Sequence, residues 1–176
     1  MLKRSELNKY QHTYEYRCIN EASERKFSSN LGKHFDIFIC HTSKDYKEIM
    51  QLKAYFKIKE NKEAYVDWID DPELDRSDIN EKTSARLQLR MQNSDELYFI
   101  ISKNSSVSKW MPWELGYFNG RKGEENILIY PIIDNEDEEV FNFIGQEYLK
   151  LYKIKGVSTE YYTAMQLKYL LNKLNI

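Results

Sequence analysis

Ser108 to Phe118 reads SKWMPWELGYF, with two tryptophans, a tyrosine and a phenylalanine crowded around one carboxylate, Glu114. Aromatic residues at this density mark a core, and an unpaired carboxylate is costly to seat there. Two readings of Glu114 stay open from the residues alone. It is a surface side chain paired with Arg121 or Lys109, or it is held among the rings for its charge. Trp110 lies one helical turn before it and Tyr117 one turn after, on the same face. Such a face could set an aromatic wall beside the carboxylate and stack on a planar ligand. Trp110, Trp113 and Phe118 suit core or interface packing equally well.

Other chemistry is missing. There is no GxGxxG and no GxxxxGK[ST], so neither a dinucleotide fingerprint nor a phosphate loop is expected. His12, His34 and His41 lack metal-ligand spacing and no GxSxG elbow is present, so no metal site and no serine nucleophile are expected. Asp70, Asp71, Asp75 and Asp78 lack the glycine and alternation of a calcium loop. Charged runs are usually solvated, so this stretch is expected as an exposed loop and helix start. Cys18 and Cys40 form no CxxC and read as reduced structural thiols.

The 176 residues suffice for one domain with a full core. The formal charge is −2 with basic residues spread along the chain, which gives no footprint for nucleic acid. No apolar run approaches the ~20 residues of a membrane span. The opening MLKRSELNKYQH is basic but lacks the apolar stretch of a signal peptide. A soluble, cytoplasmic protein is expected.

The elements that must position Glu114 follow from periodicity. Leu7, Tyr10, Tyr14 and Cys18 fall at helical spacing, and SSNLGK then reads as a linker, so residues 1–33 form an N-terminal helical extension. From residue 34 to 176, strands alternate with helices. HFDIFIC, AYVDWI, LYFIIS, ILIYPII and YLKLYKI are the five strands, LYFIIS and ILIYPII apolar enough to be covered on both faces. Ile49, Leu52 and Phe56 mark the buried face of one helix. Ile79, Thr83, Leu87 and Met91 mark another, capped by Ser77 or Asp78. Gly120 should end the helix bearing Glu114, and residues 158–176 should close the chain as a helix.

This alternation predicts an α/β fold, a parallel sheet with helices on both faces; the flavodoxin-like strand order 2-1-3-4-5 is chosen. In such sheets ligands bind beyond the carboxyl ends of the strands, where the order reverses. The ends of the first strand (Cys40 to Asp45) and the third (Ser102 to Ser106) then share a rim with Glu114.

Three segments in this order, FDIFICHTSKD, WIDDPELDRSDI and SKWMPWELGYF, resemble a Toll/interleukin-1 receptor (TIR) domain, and most of all the bacterial ones. The first resembles the family's FDxFISH strand, with Cys40 where serine is common. The second resembles its BB loop, without the usual glycine. The third resembles S-x-W-x-x-x-E, matched by Ser108, Trp110 and Glu114. The resemblance covers residues 34 to about 155, and it implies the TIR fold for residues 34–176.

It also implies an activity. Many bacterial members hydrolyse or cyclise NAD⁺ with a glutamate at the position of Glu114, often in anti-phage defence such as Thoeris systems. A TIR domain with no effector domain fused to it resembles the half that makes an ADP-ribose-derived signal for a separate effector protein. NAD⁺ is then the substrate and no cofactor is required. Nicotinamide leaves a pyridinium as a neutral base, so no acid need protonate it. A negative group that orients the ribose and stabilises its oxocarbenium-like cation is enough.

On the same resemblance, Glu114 is catalytic, with Cys40, His41, Thr42, Ser43, Asp45, Trp68, Ser105, Trp110 and Tyr117 lining the substrate. Homo-oligomers through TIR–TIR contacts are expected, a neighbour's loop completing the site. Two alternatives remain: a non-catalytic TIR scaffold that recruits partners by head-to-tail assembly, and a nucleoside deoxyribosyltransferase with Glu114 as covalent nucleophile.

Overall fold

The computed structural model describes residues 2–24, 31–74, 76–77, 80–133, 143 and 146–155. In chain order the elements are β1 (Leu2–Lys3), α1 (Arg4–Leu7), α2 (Tyr14–Glu24), β2 (Phe35–Cys40), α3 (Tyr46–Tyr55) and β3 (Ala64–Tyr65). Then come α4 (Asp67–Asp70), α5 (Glu81–Gln92), β4 (Ser94–Ile101), α6 (Trp110–Lys122), β5 (Ile127–Ile133) and β6 (Lys153–Ile154). The expected C-terminal helix lies outside the described residues.

All pairings are parallel. From one edge the sheet runs β3-β2-β4-β5, and the outer side of β5 is shared by two short strands. β6 pairs with its start, Ile129 facing Ile154, and β1 with its end, Ile132 facing Leu2. Without β1, the order is the expected 2-1-3-4-5. Alternation along β4 divides the core. Leu97, Phe99 and Ile101 pack with Leu87, Met91, Met111, Leu115 and Phe118 of α5 and α6. Tyr98 and Ile100 pack on the other face with Ile49, Leu52 and Phe56. Each face thus has its own helical layer, which is why β4 and β5 read as nearly unbroken apolar runs.

Several local readings are corrected. AYVDWI pairs only over Ala64–Tyr65, because the Asp70 carboxylate accepts the Val66 N–H (2.8 Å) and the chain turns into α4. In YLKLYKI a 3₁₀ turn takes Glu147–Leu151, leaving two residues to pair. α5 is capped by Asn80, whose side chain accepts the Thr83 N–H at 2.8 Å, rather than by Ser77 or Asp78. α6 runs past Gly120 to Gly123, whose φ of 84° suits glycine at a helix end. Thr83, Leu87 and Met91 form the buried row expected, while Ile79 is outside the described residues.

The N-terminal segment departs most. Leu7 is fully buried, but Tyr14 and Cys18 are exposed, and α2 packs through Tyr16 and Ile19 instead. The acidic stretch is not uniformly solvated either. Asp71 is fully buried and accepts hydrogen bonds from Tyr65 Oη (2.9 Å), Arg86 Nη1 (2.8 Å), Arg90 Nε (2.8 Å) and Arg90 Nη2 (2.8 Å).

Candidate active site

The site assembles where β2 ends. α6 starts above that end because the Ser108 hydroxyl accepts the Met111 N–H at 3.3 Å, which satisfies a first-turn donor. Pro112 costs the helix nothing in its first turn. The Cys40 thiol donates to the Met111 carbonyl at 3.6 Å and ties the first turn of α6 to the last residue of β2. Met111, Glu114, Leu115 and Phe118 are the buried stripe of α6. Glu114 is therefore turned inward by helical periodicity, and none of it is exposed.

Its cation is neither Lys109 nor Arg121. Arg76, from the segment between α4 and α5, donates through Nη2 to Glu114 Oε1 and through Nη1 to Asp67 Oδ2 at 2.7 Å. The guanidinium lies 5.8 Å over the Trp110 ring, within cation–π range. The Trp110 indole N–H donates to the Arg76 carbonyl at 2.9 Å. Glu114 Oε2 has no hydrogen-bond partner among the described residues.

Asp67 is the second buried carboxylate. Its Oδ1 accepts the Trp68 N–H (2.9 Å) and stands 3.3 Å from His41 Nε2. His41 Nδ1 lies 2.7 Å from the Ile39 carbonyl, which can only accept, so Nδ1 carries the hydrogen. Trp68 meets the His41 ring edge-on at 4.5 Å and stacks on Tyr46 at 5.2 Å. Its indole Nε1 is buried without a hydrogen-bond partner among the described residues.

Charge follows this geometry. Burial alone would raise the Asp67 carboxyl, but Arg76 and His41 outweigh it and hold the group well below the usual carboxylate range. Burial would lower Arg76, yet the charges of Glu114 and Asp67 hold it above its ordinary value. Burial, and after it the negative charge of Glu114, pushes the Cys40 thiol well up. The centre is two carboxylates bridged by one planar cation in a dry setting.

Cys40 thus lies beside Glu114, while Trp110 is linked to it through Arg76, and His41 and Trp68 through Asp67 and Arg76. The other residues expected to line the substrate make the following contacts within the chain. Thr42 accepts the Lys44 N–H (3.4 Å), and Ser43 is exposed in the short turn that follows. Asp45 is buried and accepts from Ser102 Oγ and Asn104 Nδ2 (2.6 Å), which ties the ends of β2 and β4. Ser105 donates to the Ser102 carbonyl at 2.9 Å. Tyr117 stacks on Trp113 and accepts from Gln92 at 2.6 Å, facing α5 rather than the Glu114–Arg76 pair. Asp67 and Arg76 were not anticipated. The available signal was Arg76 as the lone basic residue between Asp67 and Glu81, inside a run of acids.

The family model described as "Thoeris protein ThsB, TIR-like domain" matches residues 38–136, from β2 through the end of β5. The chain belongs to the ThsB TIR-like family. It is 39% identical over 147 residues to a Bacillus cereus (strain MSX-D12) protein, provisionally named 3' cyclic ADP-D-ribose synthase ThsB'. That match spans 83% of this chain and 74% of the relative. A Cytobacillus dafuensis protein, provisionally named cyclic ADP-D-ribose synthase TIR2, is 34% identical over 87 residues. Here the match spans 48% of this chain and 22% of the relative. Among the described residues no helix is long and apolar enough to cross a membrane, and no three acidic, histidine or cysteine side chains cluster as metal ligands.

Proposed function

We propose that this TIR protein consumes NAD⁺, cleaving the nicotinamide–ribose bond and releasing an ADP-ribose-derived signal, in the Thoeris type of anti-phage defence. The observation that carries the reading is the complete burial of Glu114 beside the carboxyl end of β2, inside the matched segment. The names of the two relatives support it.

In this reading the bond between the ribose anomeric carbon and the ring nitrogen breaks, and its electron pair leaves with nicotinamide. The pyridinium becomes neutral, and the positive charge moves to the sugar. Glu114 faces that cation, and a dry setting strengthens their attraction. A nucleophile then captures the anomeric carbon: water gives ADP-ribose, and a group of the same molecule gives a cyclic product. Exclusion of water from Glu114 favours internal capture, so a cyclase is the finer proposal. His41, Trp68 and Trp110 would supply the aromatic and polar walls. Head-to-tail self-association, a separate effector that senses the product and a cytoplasmic site of action complete the proposal.

The test is incubation of concentrated protein with NAD⁺ and mass spectrometry of the products. Free nicotinamide and a cyclic ADP-ribose isomer are expected. Glu114→Gln should keep the fold and lose roughly 100- to 1000-fold in rate, as when a transition-state charge partner is removed. Intact self-association with no loss of NAD⁺ would instead support a scaffold, and a sugar adduct trapped on Glu114 a deoxyribosyltransferase.

A further inference from the structure

Among the described residues, two buried carboxylate centres that hold an arginine, at Asp71 and at Glu114, are built differently. Asp71 takes Arg90 fork-on-fork, with Arg86 and Tyr65 completing the oxygens, and both its oxygens are satisfied. That is how a permanent structural pair looks. At Glu114 one oxygen takes Arg76, and the other, beside the Cys40 thiol that donates to the Met111 carbonyl, has no hydrogen-bond partner among the described residues. Arg76 divides its fork between two carboxylates that stand 47 positions apart in the chain, Asp67 and Glu114. Trp110 grips it from below by its ring and holds its backbone by the indole N–H. The Arg76 side chain remains about one-fifth exposed, while the Glu114 side chain that it pairs with is not exposed at all.

Two consequences follow. A carboxylate with no exposed surface cannot touch a substrate until what covers it moves, and Arg76 is the partly exposed cation paired with it. A carboxylate already paired with a guanidinium also cannot stabilise a second cation at the same oxygen, because the two cations repel. The space held between Asp67 and Glu114 is thus a cation subsite with an occupant from its own chain.

We infer that Arg76 is an internal competitor of substrate: its guanidinium fills the cation subsite between Asp67 and Glu114, and turnover requires it to leave Glu114. This rests on the proposed role of Glu114 in facing the sugar cation. The nicotinamide ribosyl group, cationic before cleavage and during it, takes the position that Arg76 vacates. Trp110 then has two duties in sequence, first stacking on Arg76 and afterwards bordering the substrate. The structure is the substrate-excluded state. Its hold on Arg76 keeps the chain quiet until binding energy, from NAD⁺ or from a neighbouring copy, exceeds that of the Asp67–Arg76–Glu114 bridge.

The test uses the full chain and two readouts, one independent of catalysis. Glu114 is labelled with a water-soluble carbodiimide and glycine ethyl ester and followed by peptide mass spectrometry. NAD⁺ consumption is measured over a substrate series at one fixed protein concentration. Arg76→Gln and Arg76→Ala should label Glu114 at least tenfold faster than wild type and raise kcat/KM at least tenfold, mainly through KM. Millimolar guanidinium should restore protection to Arg76→Ala, where sodium chloride at equal ionic strength does not. Arg76→Lys, a cation without the fork, should fall between and serves if the neutral variants do not fold.

Wild-type protection of Glu114 in the folded variants overturns the inference. So does a lower kcat/KM with Glu114 uncovered, since Arg76 would then assist turnover. If Glu114 becomes uncovered but neither wild type nor variant consumes NAD⁺, the occlusion stands and the NAD⁺ reading fails.

Discussion

A carboxylate buried without a cation would take up a proton rather than stay charged, so the state of the site is set by who shares Arg76. Asp67 and Glu114 divide it, and the arrangement holds the Asp67 carboxyl below the usual carboxylate range. The sign of the resulting pH dependence is fixed. A depressed native pKa gives stabilisation that is present above the unfolded value of about 3.9 and lost as pH falls toward the native one. Urea midpoints measured from pH 7 down to pH 3 should fall on acidification. Asp67→Asn should be less stable than wild type at pH 7 and show a shallower fall, with the difference between the two shrinking in acid. Equal slopes would mean that the Arg76 and His41 contacts do not hold this carboxylate. At this scale Glu114 was legible, because its helix carries an aromatic pattern around one acid. Arg76 was not, since its partners stand 9 residues before it and 38 after it, and no periodicity links them.

Elements read well wherever burial on both faces set the pattern and poorly wherever one side chain redirected the backbone. ILIYPII is β5 to the residue. AYVDWI has the same apolar look but becomes two residues of strand and a helical turn, because Asp70 captures the Val66 N–H and Lys53 Nζ (2.7 Å). The following acids mislead in the same way. Asp71 belongs to the element packing, since through Arg90 and Arg86 it fastens the start of the Arg76-bearing segment to α5. Arg90 is itself almost fully buried. Asp71→Ala would take from that guanidinium its buried carboxylate, and removing one partner of a buried pair costs about 3–5 kcal/mol. Urea unfolding should show a loss of this size at pH 7. Arg86→Ala should cost much less, since it leaves the bidentate Arg90 pair intact and Arg86 itself is partly exposed. A small effect of Asp71→Ala would place this cluster outside the cooperative core.

For the whole molecule, the boundary drawn at residue 33 concerns how the chain divides, and the packing gives that question physical content. β1 adds an outer strand to β5, Arg4 pairs with Glu48 of α3, Asn8 accepts from Gln51 (3.2 Å) and Tyr10 meets Tyr55 edge-on at 5.4 Å. The helical spacing of Leu7, Tyr10, Tyr14 and Cys18 pointed to one continuous amphipathic helix. The chain instead uses a strand, a short helix and a turn before α2, so only Leu7 of that row is fully buried. Period alone could not show this, because strand pairing by two residues leaves no repeat to detect. Leu7 sits in the same apolar cluster as Ile49, Leu52 and Phe56, beneath the sheet face opposite α6. If the first residues belong to the folding unit, Leu7→Ala must cost what a core truncation costs, about 2–5 kcal/mol. The loss should appear in the single unfolding transition of the whole chain, with its denaturant slope unchanged. A separate early transition, or a cost within the ±0.5 kcal/mol or so of surface substitutions, would instead make the N-terminal segment an appendage that docks on a domain stable without it.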